Sequence, residues 1–158
     1  MWPFSFLRNK KMTIKERLNN DIKEAMRAKE KELLTTLRLI TAAVKQVEVD
    51  ERIEVDDERM LVILDKMSKQ RKESIAQYEK ANRDDLVAQE QFELDVLKNY
   101  LPEPLSAVEI EKMINTAITE TGATKMADMG KVMALLKPNL QGRADMAQVS
   151  ALIKAKLN

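Results

Sequence analysis

Lys125, Lys131, Lys137 and Arg143 are the residues of this chain best placed, by type and spacing, to do chemistry. That chemistry is electrostatic. They are interleaved with Met129, Val132, Met133 and Leu136, which are spaced for one face of a helix. All three glycines, Gly122, Gly130 and Gly142, fall in the same stretch, residues 121–150. Glycine used so sparingly implies a place where a side chain does not fit or where φ is positive. At Gly130 the missing Cβ permits close approach of another backbone, and Gly142 is expected to make a turn. Arg143 follows Gly142 just ahead of an expected helix N-terminus, the geometry that favours a phosphate. Its guanidinium fork and nearby backbone N–H groups suit an RNA or nucleotide phosphate. The structural alternative, a brace in which Arg143 pairs with Asp128 or Asp145, stays open at this point.

Most other chemistry is closed by composition. The chain has no His and no Cys, which removes a His general base, a Cys nucleophile, disulfides, Fe–S clusters and the usual zinc sites. No GxxxxGK[ST] or GxGxxG loop occurs. Asp56-Asp57-Glu58 and Asp84-Asp85 are the densest acidic groups. Neither has the spacing of a cation loop, and both sit at expected helix starts, where acids favour the helix dipole. The five serines offer no nucleophile elbow. We therefore expect no catalytic residue, no metal and no cofactor. Arg71 falls where the stripe Met60, Leu64, Met67, Ile75, Tyr78 calls for an apolar residue. It is either a half-buried arginine paired with a carboxylate or a polar, ligand-facing site in the N-terminal lobe.

The elements that must position these residues are helices. Thr13-Ile14-Lys15-Glu16 has the form of a capping box, so a first helix is expected over residues 14–28, with Ile14, Leu18, Ile22, Ala25 and Met26 inward. Leu33, Leu37, Ile40, Val44 and Val47 mark a second. Asp56 caps a third, with Val55 stapling to Met60. A fourth follows Asn82–Asp85 through Leu86, Phe92, Leu94, Leu97 and Tyr100, and Pro102-Glu103-Pro104 stops it. Ser106 and Glu109 cap a fifth, Leu105 staples to Ile110, and Gly122 ends it. A sixth starts near Lys125 and is interrupted at Pro138. Asp145 and Gln148 cap a last one holding Val149, Leu152, Ile153 and Leu157. No segment alternates with period two. The expectation is an all-α protein: a four-helix lobe over residues 12–101, then a small three-helix lobe over residues 105–158.

Net charge is +1, distributed as +4 over residues 1–50, −4 over 51–100, −3 over 101–120 and +4 over 121–158. Basic ends around an acidic centre permit an anionic partner at the ends. No apolar run approaches the roughly 18–20 residues of a membrane span. The lack of Cys fits a reducing compartment, the cytoplasm. Residues 1–11 (MWPFSFLRNKK) read as a tail outside the fold. The alternative is a weak interfacial anchor built from Trp2, Phe4 and Phe6 with Arg8, Lys10 and Lys11.

Four stretches in order, LRLITAAVKQVEVD at 37–50, KQRKESIAQYEKANRDDL at 69–86, YLPEPLS at 100–106 and DMGKVMALLKPNLQGRADMAQVS at 128–150, resemble the GatB/YqeY family. Asn82 stands where that family often has Gly, and Asn tolerates the same left-handed turn. The resemblance implies an N-terminal helical lobe and a tail similar to the C-terminal domain of the GatB component of aspartyl/glutamyl-tRNA amidotransferase. It implies tRNA, an amidotransferase or an aminoacyl-tRNA synthetase as partner. It also implies a glutamine-dependent carbon–nitrogen ligase label, which the residues themselves do not support. The leading expectation is an accessory RNA-binding protein of translation. A protein-interaction adaptor, docking through a Met126/Met129/Met133 surface, comes second, and a ligase third.

Overall fold

The computed structural model describes residues 12–158, which form seven α-helices and one 3-10 turn with no strand. The all-α class is as expected. The tail over residues 1–11 lies outside the described residues. The chain divides into two compact units, Met1–Leu101 and Pro102–Asn158.

The first unit holds α1 (Ile14–Arg27), α2 (Lys31–Glu51), α3 (Asp57–Lys80) and α4 (Asp84–Lys98). Thr13 caps α1 by accepting from Glu16 N at 3.1 Å, and Asp56 caps α3 by accepting from Arg59 N at 2.9 Å. The first three helices end alike. Lys29, Arg52 and Asn82 sit at φ of 58°, 55° and 56°. The next N–H then reaches back five residues: Glu30 to Ala25 O (3.0 Å), Ile53 to Glu48 O (3.3 Å) and Arg83 to Tyr78 O (2.9 Å). That bond satisfies carbonyls the helix leaves open and reverses the chain. The core gathers Leu18, Leu37, Ile40, Met60, Leu64 and Leu97, all at most 1 % exposed. Burying each such side chain stabilises by about 1.5–3 kcal/mol.

Polar groups enter this interior in pairs. The buried Tyr100 hydroxyl donates to the Asp21 carboxylate. Burial first, and that hydrogen bond second, push the Tyr100 phenol far above its ordinary range. Arg17 donates to Asn99 O at 3.1 Å and lies 5.1 Å over the Tyr100 ring, a cation–π arrangement. Glu48 ties three segments: it accepts from Lys15 Nζ and, at 2.9 Å, from Val55 N. Chiefly the Lys15 bond holds its carboxyl below the usual range.

In the second unit, α5 (Ala107–Thr121) is capped by Ser106, whose Oγ accepts from Glu109 N at 3.2 Å. Glu109 reaches back to the Ser106 hydroxyl at 3.1 Å. Gly122, at φ 68°, ends the helix, and Ala123 N bonds Ile118 O at 3.1 Å. A 3-10 turn (Met126–Asp128) leads into α6 (Met129–Leu140), and α7 (Met146–Leu157) closes the unit. Ile114, Val132, Leu140, Val149 and Ile153 are its core.

Three expectations need correction. Met26 is 52 % exposed and Leu152 44 % exposed. Each follows or precedes a true core position, Ala25 or Ile153, and so points about 100° off the buried face. Pro138 does not interrupt its helix, because α6 runs on to Leu140. The proline lies in the last turn, where the loss of one N–H bond ends little.

Tyr100→Phe is expected to destabilise the protein by about 1–3 kcal/mol, since it removes a buried donor from a carboxylate. Met26→Ala should stay within about 0.5 kcal/mol. Urea unfolding of the two variants beside the parent measures both.

Candidate nucleic-acid interface

The four cations sit along α6 and beyond both its ends. Lys125 is extended, ahead of the 3-10 turn, and its carbonyl accepts from Asp128 N at 2.9 Å. The Asp128 carboxylate turns back to accept from Thr124 N at 3.0 Å. Chiefly that backbone bond holds its carboxyl below the usual range, with Lys131 and Lys125 adding charge attraction. Lys125 and Lys131 therefore flank one carboxylate at the amino end of α6, both exposed. The first turn of α6 contains no acidic residue.

Lys137 is not brought to them. It stands six residues after Lys131, which on an α-helix is a rotation of about 120°, and it is exposed in the last turn, where a cation suits the helix dipole. Arg143 lies past the carboxyl end of α6, roughly 18 Å of helix away from Lys125. Its Nε donates to Glu103 O at 3.1 Å while its carbonyl accepts from Leu105 N at 2.9 Å. Arg143 thus clamps the 103–105 segment to the α6–α7 turn. The brace is built on a backbone carbonyl where a carboxylate was expected. The N-terminus behind it is occupied: Asp145 caps α7 by accepting from Ala147 N at 3.0 Å, which leaves that end poorly suited to a phosphate.

The two glycines differ. Gly142 has φ 80° and makes the turn. Gly130 lies within α6, and a Cβ built on it meets nothing within 4 Å. No backbone of this chain approaches it, so the close-approach reading finds no support inside the unit.

Arg71, on α3, is half-buried and faces α4. Its Nη1 donates to Glu90 at 3.0 Å and to Glu93 at 3.3 Å. Burial pushes the Glu93 carboxyl above the usual range, the Arg71 charge opposes this, and Glu90 adds to it. Of the two readings of Arg71, the paired arginine describes this geometry. Asp56 caps α3, Asp57 accepts from Ile14 N at 2.8 Å, and Asp85 bonds Arg83. Among the described residues no group of three or more acidic side chains is arranged to hold a metal ion. Sequence reasoning misses Asp21, Glu93 and Tyr100 as polar interior residues. Asp21 interrupts the face formed by Leu18, Ile22 and Ala25 just as Arg71 interrupts that of α3, so the same test finds it.

The fold and this site define a class: a helical protein whose one paired set of exposed lysines lies at a helix start. The chain belongs to the Yqey-like protein family, whose pattern matches residues 15–157. It is similar to proteins named "Altered inheritance of mitochondria protein 41, mitochondrial". That of Pyrenophora tritici-repentis is 32% identical over 130 residues, covering 81% of this chain and 71% of the relative. That of Vanderwaltozyma polyspora is 33% identical over 119 residues, with 71% and 64% covered. That of Lachancea thermotolerans is 36% identical over 106 residues, with 65% and 57% covered. The matched part thus spans between 57% and 71% of these relatives' own length. No helix among the described residues is long and apolar enough to cross a membrane.

Gly130→Ala should stabilise by about 0.4–1 kcal/mol and Gly142→Ala should destabilise by more than that, because only the second needs a positive φ. Thermal unfolding of both variants tests the contrast. Arg71→Met leaves two carboxylates facing each other. We predict a loss of about 3 kcal/mol at pH 7, the low end for a buried pair because Arg71 keeps a quarter of its side-chain surface in water. Both acids would then hold protons more tightly in the folded than in the unfolded chain. Stability is therefore retained below the ordinary glutamate range, about pH 4, and lost as pH rises through the raised folded values. Urea unfolding from pH 4 to 7 reads this, and a loss independent of pH would contradict it.

Proposed function

We propose that this protein is a non-catalytic accessory factor that contacts folded RNA through its C-terminal unit. The amino end of α6 is the contact. The observation that carries the reading is the placement of Lys125 and Lys131 on either side of Asp128, at a helix start with no acid in its first turn. A phosphate there meets two ammonium groups and the positive end of the helix dipole. Lys137 adds charge from another face, and Arg143 supports the unit's shape without being a primary contact. Residues 105–158 contain no Phe, Tyr or Trp. Without a stacking platform, backbone and shape recognition fits better than the reading of single-stranded bases.

The resemblance to the tail of the GatB component of the tRNA-dependent amidotransferase makes tRNA the RNA class of choice. On this reading the protein serves translation, alongside an amidotransferase or aminoacyl-tRNA synthetase, as an aid and not as the ligase. Activating a carboxylate for amide transfer needs a nucleotide site and a source of ammonia, and the sequence has no phosphate loop or cysteine to build them. The lack of cysteine suggests the cytoplasm as location. The relatives' names make the mitochondrion the better proposal, should the chain serve the same compartment as they do.

One observation favours the adaptor as a second reading. A groove of about 280 Å³ runs between α5 and α6 over Met113, Ala117, Leu135 and Leu136, with Lys112 and Glu120 beside it. The methionine surface expected for docking does not form as one patch. Met126 is 41 % exposed, whereas Met129 and Met133 pack against the core.

Filter binding of total tRNA over a range of salt separates the two. The Lys125→Ala/Lys131→Ala pair should weaken retention and lower the log–log salt slope by about 2, one for each phosphate no longer neutralised. Unchanged retention and slope would transfer the function to the groove, where Leu135→Asp should abolish partner capture.

A further inference from the structure

A second groove, in the first unit, has a composition that matches another part of the same chain. Leu33, Phe92 and Val96 form its floor, between the start of α2 and the end of α4, and its volume is about 540 Å³. Glu30, Glu32 and Asp95 stand exposed on its rim, with Lys31 as the one cation among the lining residues. Among the described residues none of these three carboxylates is in an ion pair, and Asp95 accepts only a neutral bond, from Gln91 at 2.9 Å. The carboxyl end of α4 adds partial negative charge from its terminal carbonyls. An apolar floor under an acidic rim calls for an occupant with aromatic side chains followed by cations.

Residues 1–11 supply that order: Trp2, Phe4, Phe6 and Leu7, then Arg8, Lys10 and Lys11. Reach is no obstacle. Eleven extended residues span up to about 36–40 Å. Their attachment point is close to the groove, since Arg17 on the first turns of α1 donates to the carbonyl of Asn99, a lining residue. The Met12 sulfur, moreover, lies 3.7 Å from the Asn20 amide, farther along α1. Covalent attachment also gives the segment a high effective concentration at any site within reach.

We propose that residues 1–11 dock in the Leu33–Phe92–Val96 groove of their own chain, aromatic side chains on the floor and basic side chains against Glu30, Glu32 and Asp95. The segment acts as an intramolecular strap over a surface that would otherwise expose Phe92. Displacing it would open that surface to a partner with the same aromatic-then-basic chemistry.

Trp2 is the only tryptophan of the protein, so its fluorescence reports the segment alone. The full chain should show blue-shifted emission and a several-fold lower acrylamide quenching constant than a free peptide of residues 1–11, independent of protein concentration. Glu30→Lys/Glu32→Lys/Asp95→Lys, all on exposed positions, should restore the peptide's emission and quenching while far-UV circular dichroism stays unchanged. Phe92→Ala should do the same if it folds, and the surface triple variant keeps the test valid if it does not. Peptide-like quenching in the parent would overturn the proposal. So would protection that survives the triple variant, that grows with protein concentration (a second copy as the site), or that appears only with anionic phosphatidylserine vesicles (a membrane anchor).

Discussion

Four of the seven described helices end on one hydrogen bond, from the N–H just past a left-handed residue to the carbonyl five positions back. This bond is the constraint on which both units depend, because each instance turns the chain back so that the next helix can cover the last one's apolar face. In the second unit the left-handed residue is Gly122, where no Cβ opposes the conformation. In the first it is Lys29, Arg52 and Asn82. Asn accommodates this geometry, but Lys29 and Arg52 carry a strain on the order of 1–2 kcal/mol each. Burial of residues such as Leu37, Met60 and Leu64 exceeds that cost several times over. Packing therefore enforces the turns of the first unit, and residue type enforces that of the second.

The two interiors also differ in kind. Among the described residues every buried polar or charged one, Asp21, Thr36, Ser68 and Glu93, lies in the first unit. Two of them bridge elements far apart in sequence: Asp21 with Tyr100, and Glu93 with Arg71. Such bonds have fixed geometry, so only one alignment of α3 against α4, and of α1 against the chain after α4, satisfies them. Hydrophobic faces of leucine and methionine tolerate sliding, since flexible side chains refill the gaps. The polar pairs remove that freedom. The second unit is small enough that its caps, its glycines and the Arg143 clamp hold its three helices without buried charge.

Legibility in the sequence followed this division. Ser106, Asp56, Thr13, Gly122 and Gly142 each carry a residue type with one local use, and each performs it in the structure. Lys29 and Arg52 give no warning, because nothing in a lysine or an arginine announces a positive φ that tertiary packing imposes. Core positions are legible to within one residue: Met26 and Leu152 read as inward beside the true buried positions Ala25 and Ile153. Half of Arg71's chemistry can be read, the need for a carboxylate. Its identity cannot, since Glu90 and Glu93 lie on the other arm of a hairpin. The cationic set is the clearest case. Lys125, Lys131, Lys137 and Arg143 recur every six residues, which looks like a cluster on paper. On a helix a step of six turns by about 120°, so such a series cannot form a stripe.

That geometry bounds what the proposed interface can do. Two phosphates neutralised give an affinity with a shallow salt slope and little sequence content. RNA bound this weakly is retained only where a second attachment raises the local concentration, whether from another protein or from another surface of this one. A pair of lysines at one helix start is therefore too little for an independent RNA-binding protein and enough for an accessory one, in which a partner supplies affinity and the lysines set orientation. Lys137 and Arg143 fit the same argument. Charges on other faces contribute to attraction at a distance, within about a Debye length of 8 Å at physiological salt, without taking part in the docked geometry. Steering and docking are then carried by different residues of one small helical unit, and substitutions in the two sets would separate association rate from dissociation rate.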